Sequence, residues 1–326
     1  MATSKKGVNM NGTIRKRRVL AAALAVALGS LAVLASAAQP GRANYNDGAE
    51  LIAFASNRTG NMDIWVMNAD GTNPVQLTND PIREDFPTWS PDGRKIAFAR
   101  GERALGHEIW VMNADGTKQK QLTPNEVDGF APAWSPDGRK IAFIRVDSAF
   151  NTEVYVMNAN GKGEQNLTND PALDFFPDWS SDGRRIAFSS ARSGAFAVYT
   201  MRPNGTNVRK LTNDSLDAFD AAWSPESDSL AFSDNFTSSE SDLFVMKANG
   251  TGITQLFETP QNETDASWSP DGGRIAFGRF EFDDQGLPVP GSGEIYVIGV
   301  DGEGLTNLTN TPGSSDIRPD WAPETR

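Results

Sequence analysis

Six short acidic segments recur along this chain of 326 residues, each just ahead of a tryptophan. They run Asp80 to Asp85 before Trp89, Glu126 to Asp128 before Trp134, Asp170 to Asp174 before Trp179, Asp214 to Asp217 before Trp223, Glu263 to Asp265 before Trp268, and Ser315-Asp316 before Trp321. If the repeated units stand in a ring, Asp85, Asp128, Asp174, Asp217, Asp265 and Asp316 gather their charge around one mouth. Overlapping negative potentials of that kind steer a basic peptide or, through oxygen ligands, hold a divalent cation such as Ca2+. A solvated acidic surface that only aids solubility is the alternative for the same residues. Catalytic chemistry finds less support. His107 is the only histidine; a Ser-His-Asp unit needs a histidine that exchanges a proton with its nucleophile, and no Gly-x-Ser-x-Gly elbow accompanies this one. Glycoside cleavage needs only two suitably spaced carboxyls, and the sequence singles out no such pair. With no cysteine, disulfides, thiolate metal sites, a thiol nucleophile and a lipid-bearing cysteine are excluded.

The tryptophans give the scaffold that must position these acids. Trp89-Ser90-Pro91-Asp92-Gly93-Arg94-Lys95-Ile96-Ala97-Phe98 returns as Trp134 to Phe143 and, with changes, at Trp179, Trp223, Trp268 and Trp321, at intervals of 45, 45, 44, 45 and 53 residues. A period in this range signals a repeat architecture. Each unit has a tryptophan run, an Ile-Ala-Phe run, an acid-Ile-Trp-Val-Met-Asn run (Asp63 to Asn68, Glu108 to Asn113) and a short run ending Leu-Thr. These β-branched and aromatic stretches, bounded by turn residues, read as strands. Asp70-Gly71, Asp115-Gly116 and Asn160-Gly161 mark positive-φ hairpin turns, and Ser90-Pro91-Asp92-Gly93 suits a type I turn. Four antiparallel strands per unit make a propeller blade, so the fold is all-β: a six-bladed β-propeller over residues 51–326. The ordered run opens at Ile52-Ala53-Phe54, a second strand, and closes at Trp321, a first strand. Pairing the two completes one composite blade and seals the ring.

This set of motifs (Trp-Ser-Pro-Asp-Gly-Arg-Lys-Ile-Ala-Phe, then acid-Ile-Trp-Val-Met-Asn-Ala-Asp-Gly-Thr and Gln-Leu-Thr) resembles the repeats of the TolB-type six-bladed propellers, over residues 51–323. The resemblance implies the fold; propellers host many activities, so it leaves function open. TolB carries an α/β domain before its propeller, whereas here residues 39–50 read as a linker. The turn glycine is missing at Trp223-Ser224-Pro225-Glu226-Ser227-Asp228. The last unit gains an insertion from Phe280 to Gly293, in which Phe282, Asp283, Asp284 and Leu287 are candidate contacts if the loop binds rather than being merely tolerated. Related propellers also precede the hydrolase domain of prolyl oligopeptidase and tricorn-type peptidases. The multi-histidine metal site of the propeller-fold pectate-degrading lyases is excluded here by the histidine count.

Residues 1–38 read as an export signal: Arg15-Lys16-Arg17-Arg18, an apolar run from Val19 to Leu34, and Ala35-Ser36-Ala37 as small residues for cleavage. General or twin-arginine export, and cleavage or retention, stay open. The formal charge is −12, and without the six cations of that segment, which has no acids, it is −18. So acidic a body disfavours nucleic acid. The expectation is an exported, periplasmic or extracellular, non-enzymatic monomer without a membrane span after cleavage. It would bind a protein or peptide of the cell envelope through the acidic loop-bearing face. The alternatives are a propeller enzyme, a substrate-gating partner of a separate peptidase or glycan hydrolase, and a calcium-binding envelope structural protein, calcium being the one cofactor left open.

Overall fold

The structure, a computed structural model, describes residues 50–101, 106–125, 128–234, 241–281 and 289–324. The expected signal, nearly all of the linker, and the insertion residues Phe282, Asp283, Asp284 and Leu287 lie outside the described residues. Within them are six sheets, each of four antiparallel strands. The innermost strands are Glu84–Trp89, Asp128–Trp134, Asp174–Trp179, Phe219–Trp223, Asn262–Trp268 and Asp316–Trp321. They are numbered here as the inner strands of blades 2, 3, 4, 5, 6 and 1. Each is followed outward by the Ile-Ala-Phe strand, the Trp/Tyr-Val-Met strand and a two-residue outer strand.

Closure follows the expected route. The inner strand of blade 1 comes from the C-terminal side and pairs with Leu51–Ser56, with Ile52 opposite Trp321 and Ser56 opposite Asp316. Both faces of every sheet are covered by a neighbouring blade. Ala53, Ile64, Val66 and Leu77 of blade 1 meet Trp89, Ile96, Phe98 and Met112 of blade 2 in one buried cluster. The same arrangement recurs around the ring. This is why the middle strands read as continuous apolar runs rather than as an alternation. Phe54, Phe98, Phe143, Phe188, Phe232 and Phe277, one per blade, are all fully buried, and truncating one to alanine costs about 3–5 kcal/mol.

The turns refine the sequence reading. In Asn68 to Thr72 the Asn68 N–H donates to Thr72 O and the Gly71 N–H to Asn68 O, while only the glycine has positive φ. That is a three-residue hairpin loop ending in a left-handed glycine, with Asp70 accepting from the Thr72 N–H at 3.0 Å. The glycine has a second reason. A Cβ on Gly161 would lie 2.5 Å from Leu122 O of the neighbouring blade, so the turn fixes how closely two blades approach. The Ser-Pro-Asp-Gly turn forms as expected, with the Gly93 N–H donating to Ser90 O. Where its glycine is missing, Ser227 takes the same positive φ of 59° and keeps the bond to Ser224 O.

Because blade 1 borrows its inner strand, deleting residues 315–326 exposes the edge of Leu51–Ser56 and one face of Trp65. The truncated chain is expected to lose most of its thermal stability and its single cooperative transition. An unchanged melting curve by circular dichroism would contradict closure by this strand.

Candidate functional site

The inner strands cannot pair on their inward edge, so their geometry decides what the centre of the ring presents. In every inner strand the register with the second strand slips ahead of the tryptophan, for example between Asp85 and Thr88 and between Phe175 and Asp178. The residue three before each tryptophan sits in the slip with positive φ: Phe86, Ala131, Phe176, Asp220, Asp265 and Arg318. A bulge of this kind re-aims a side chain out of the sheet's alternation. All six line one central cavity of about 510 Å3. The residues one before the tryptophans line it as well, among them Thr88, Asp178, Ser267 and Asp320, and its rim carries Pro91, Pro136, Pro225, Pro270 and Pro323. The cavity therefore lies toward the Ser-Pro-Asp-Gly turns. That is the end of the inner strands opposite the acidic segments.

The ring of bulge residues is not symmetric. Phe86, Ala131 and Phe176 make one half apolar, and Asp220, Asp265 and Arg318 make the other ionic. The Arg318 guanidinium lies over the Phe86 ring, 3.6 Å from its centroid, pairs with Asp85, and stands 3.6 Å from Asp265. Burial works against charge on Asp85, but Arg318 and Arg83 outweigh it and hold the carboxyl below its ordinary range.

The remaining cavity acids serve the unpaired edges. Asp178 accepts the Trp223 N–H of the next blade at 2.7 Å, and Asp320 accepts the Trp89 N–H at 2.6 Å. Asp220 accepts the Asp265 N–H at 2.6 Å, and the Ser267 hydroxyl takes the Trp321 N–H at 2.9 Å. Each side chain thus latches one blade to the next. Burial pushes Asp178 up to about 7, with the charge of Asp320 adding and the Trp223 N–H opposing. Burial likewise raises Asp320 to about 7 against its hydrogen bonds to Trp89, Thr88 and Ser267. Asp220 and Asp265 are both raised, by burial first, and the charge of Asp265 adds to the rise at Asp220.

Of the six acids expected to share a mouth, the fold brings only Asp265 to the cavity. Asp85 lies behind it, 1% exposed, held by Arg83 at 2.7 Å and by Arg318. Asp128 accepts the His107 N–H at 3.1 Å, with the ring Nδ1 at 3.4 Å. Asp217 accepts the Phe196 N–H at 2.8 Å; both tie the start of a strand in the neighbouring blade. Asp174 and Asp316 are fully buried and clamp their own blades: Asp174 to Arg192 at 3.0 Å and Asp316 to Arg58 at 2.8 Å. Glu84 with Arg100 and Glu263 with Arg279 repeat this clamp. In each case the guanidinium also lies over the aromatic ring of the third strand, as Arg100 does over Trp110 at 4.1 Å and Arg279 over Tyr296 at 4.3 Å. His107 is buried, lies with its ring tilted against Phe130 and does not line the cavity. Among the described residues no group of three or more histidine or carboxylate side chains is placed to hold a metal ion. Asp178, Asp220, Asp320 and Arg318 were missed. Counting each acid's offset from its tryptophan would have separated them from the clamping acids five residues before it.

With this geometry in hand, the known proteins that resemble the chain can be compared. A family model described as the TolB beta propeller domain matches residues 87–235. The Protein TolB homolog of Chlorobaculum tepidum is 49% identical over 47 residues, which is 14% of this chain and 11% of that protein. TolB from Acinetobacter baumannii superposes with a TM-score of 0.72 at 22% identity, over 84% of this chain and 67% of that one. A chain of the nidogen/laminin complex superposes with a TM-score of 0.65 at 12% identity, over 84% of this chain and 98% of that one. At these identities the structural matches speak for the fold.

The raised carboxyls fix a pH dependence. Below the ordinary carboxylate pKa Asp178 and Asp320 are protonated in both folded and unfolded chains, and their contribution to stability is fully present. Above it the unfolded chain releases protons that Asp178 and Asp320 retain, so stability falls as pH rises toward and through about 7. The melting temperature should drop between pH 5 and pH 8. Asp178→Asn keeps an acceptor for the Trp223 N–H and should flatten that drop; a variant curve as steep as the wild type's would contradict the assignment.

Proposed function

We propose that this chain, with its six-bladed β-propeller fold and TolB-like repeats, is an exported, non-catalytic module that binds a protein of the cell envelope. A projecting segment of the partner enters the central cavity. The TolB-like repeat supports a protein-binding propeller, and the composition of residues 1–38 supports export. The observation that carries the site is the cavity itself: about 510 Å3, preformed, walled by tryptophan and proline, with a floor half apolar and half ionic. Concave sites of this size, mostly apolar with a few placed polar groups, are where ligands seat. An extended segment fits this floor when an apolar side chain meets Phe86 and Phe176 and a basic one meets Asp220 and Asp265. Asp265 is then the one member of the expected acid set that touches the partner, while Asp85, Asp128, Asp174, Asp217 and Asp316 act by holding blades together.

Ala222 lines the cavity and is half-buried, so Ala222→Tyr narrows it without removing a latch. Affinity capture from a cell-envelope extract, read by mass spectrometry, is expected to recover a partner with the wild-type chain and at least tenfold less with Ala222→Tyr at an unchanged melting temperature, a loss of about 1.4 kcal/mol or more. Equal recovery by both would remove the cavity from the proposal.

A further inference from the structure

The strongest feature outside the central cavity is a basic groove on an acidic molecule. A second cavity, about 280 Å3, lies between the outer part of blade 4 and the hairpin turn of blade 5. Four cations line it, Arg185, Arg202, Arg209 and Lys210, with Asn207 and Asn249 and no acid.

The repeat sets this groove apart by degree. The position of Arg202 is Asn68, Asn113 and Asn158 in blades 1 to 3, Lys247 in blade 5 and Gly299 in blade 6. That of Lys210 is Gln76, Gln121, Asn166, Gln255 and Asn307, and that of Arg209 is Val75, Lys120, Gln165, Thr254 and Thr306. The hairpin acid found as Asp70, Asp115 and Asp301 is asparagine in blades 3, 4 and 5, as Asn160, Asn204 and Asn249. Blade 4 alone has a cation at all three positions, beside hairpins without an acid, in a chain whose formal charge is −12.

The cations are also poorly neutralised. Among the described residues no carboxylate pairs with Arg185, Arg202 or Arg209; the only pairing in the groove is Lys210 with Asp214. Arg185 is fixed rather than neutralised. It stacks on Trp223 with 4.2 Å to the ring centroid and donates to Ser227 O at 3.0 Å and to Ala248 O at 3.3 Å. Arg209 Nε donates to Asn207 Oδ1 at 3.3 Å, which turns its guanidinium along the same wall. Asp182 nearby is held below its ordinary range: burial opposes this, its Ser180 and Arg184 hydrogen bonds favour it, and the charges of Arg185 and Arg184 add. Arg202 and Arg209 are exposed and pair with no carboxylate among the described residues, so their donors stay available to an oxyanion. Guanidinium forks match the paired oxygens of phosphate and sulfate groups.

We infer that this groove is a seat for a tetrahedral oxyanion, a phosphate or sulfate group borne by a larger ligand. Arg185 is its rigid base and Arg202, Arg209 and Lys210 are its closing side chains. The seat is independent of the central cavity, so partner capture there and oxyanion binding here can fail separately.

Isothermal titration of the full chain with inorganic phosphate and with pyrophosphate, at low ionic strength, tests it. Saturable one-to-one binding of pyrophosphate is expected, weakened by added salt. Arg202→Gln and Arg209→Gln should each weaken it about tenfold, whereas Lys162→Gln, an exposed cation in the blade 3 hairpin, should not. Both arginines are exposed, and an unchanged melting temperature excludes misfolding. Cosedimentation with phosphatidylglycerol against phosphatidylcholine vesicles separates a lipid headgroup from a soluble oxyanion. Binding to either source that depends on Arg202 and Arg209 supports the seat. Absence of binding to pyrophosphate and to both vesicles, or equal weakening by all three substitutions, overturns it.

Discussion

An inner strand of a propeller has one edge with no strand to pair with, and its buried N–H groups need another acceptor. In this molecule the answer is a side chain lent by the preceding blade: Asp178 to Trp223, Asp320 to Trp89, Ser267 to Trp321 and Asp220 to Asp265. A buried backbone donor left unpaired costs roughly 1–3 kcal/mol, so these latches stabilise four of the six blade junctions; at the other two, between blades 2 and 3 and between blades 3 and 4, the matching positions are Thr88 and Ala133. They also decide the chemistry of the centre. Carboxyls placed to serve the backbone end up enclosed, and enclosure raises their affinity for protons.

Outside the inner strands the blades solve a different problem with repeated means. Arg58, Arg100, Arg192 and Arg279 each join a buried acid of the inner strand to an aromatic ring of the third. The clamp thus spans three strands of one blade while the apolar faces hold blade to blade. Blades 3 and 5 depart from it. In blade 3 Gly129 stands in place of the acid, and Arg145, over Tyr155 at 5.2 Å, pairs with Glu164 at 3.1 Å instead. In blade 5 Ala218 stands in place of the acid, and Phe232 and Phe244 stack at 5.5 Å.

Fold and closure were legible because they depend on what recurs. The tryptophan period, the Ile-Ala-Phe runs and the hairpin glycines are each required once per blade, and Trp321 and Ile52-Ala53-Phe54, a first and a second strand, supply the two parts of the composite blade. The cavity was less legible because it depends on register within five or six residues. The bulge at Phe86, Asp220 and Arg318 turns each of these side chains to the centre, so acids one to three residues apart in sequence, such as Asp217 and Asp220, reach different surroundings. Asp265 was found because it is both the last acid of its segment and the bulge residue. The basic groove went unread because it consists of departures from a motif that draws attention to what it keeps.

Closure by a strand taken from the far end of the chain also orders events in time. Ile52 and Trp321 are paired across 269 residues, a contact whose loop must be closed before either edge is satisfied. Blades 2 to 6 can each form locally as the chain is synthesised, but the ring stays an open arc with its first edge exposed until residue 321 has emerged. The molecule therefore has a built-in interval in which it is structured but unsealed. Its vulnerability to aggregation and proteolysis is concentrated in that interval rather than in the finished ring.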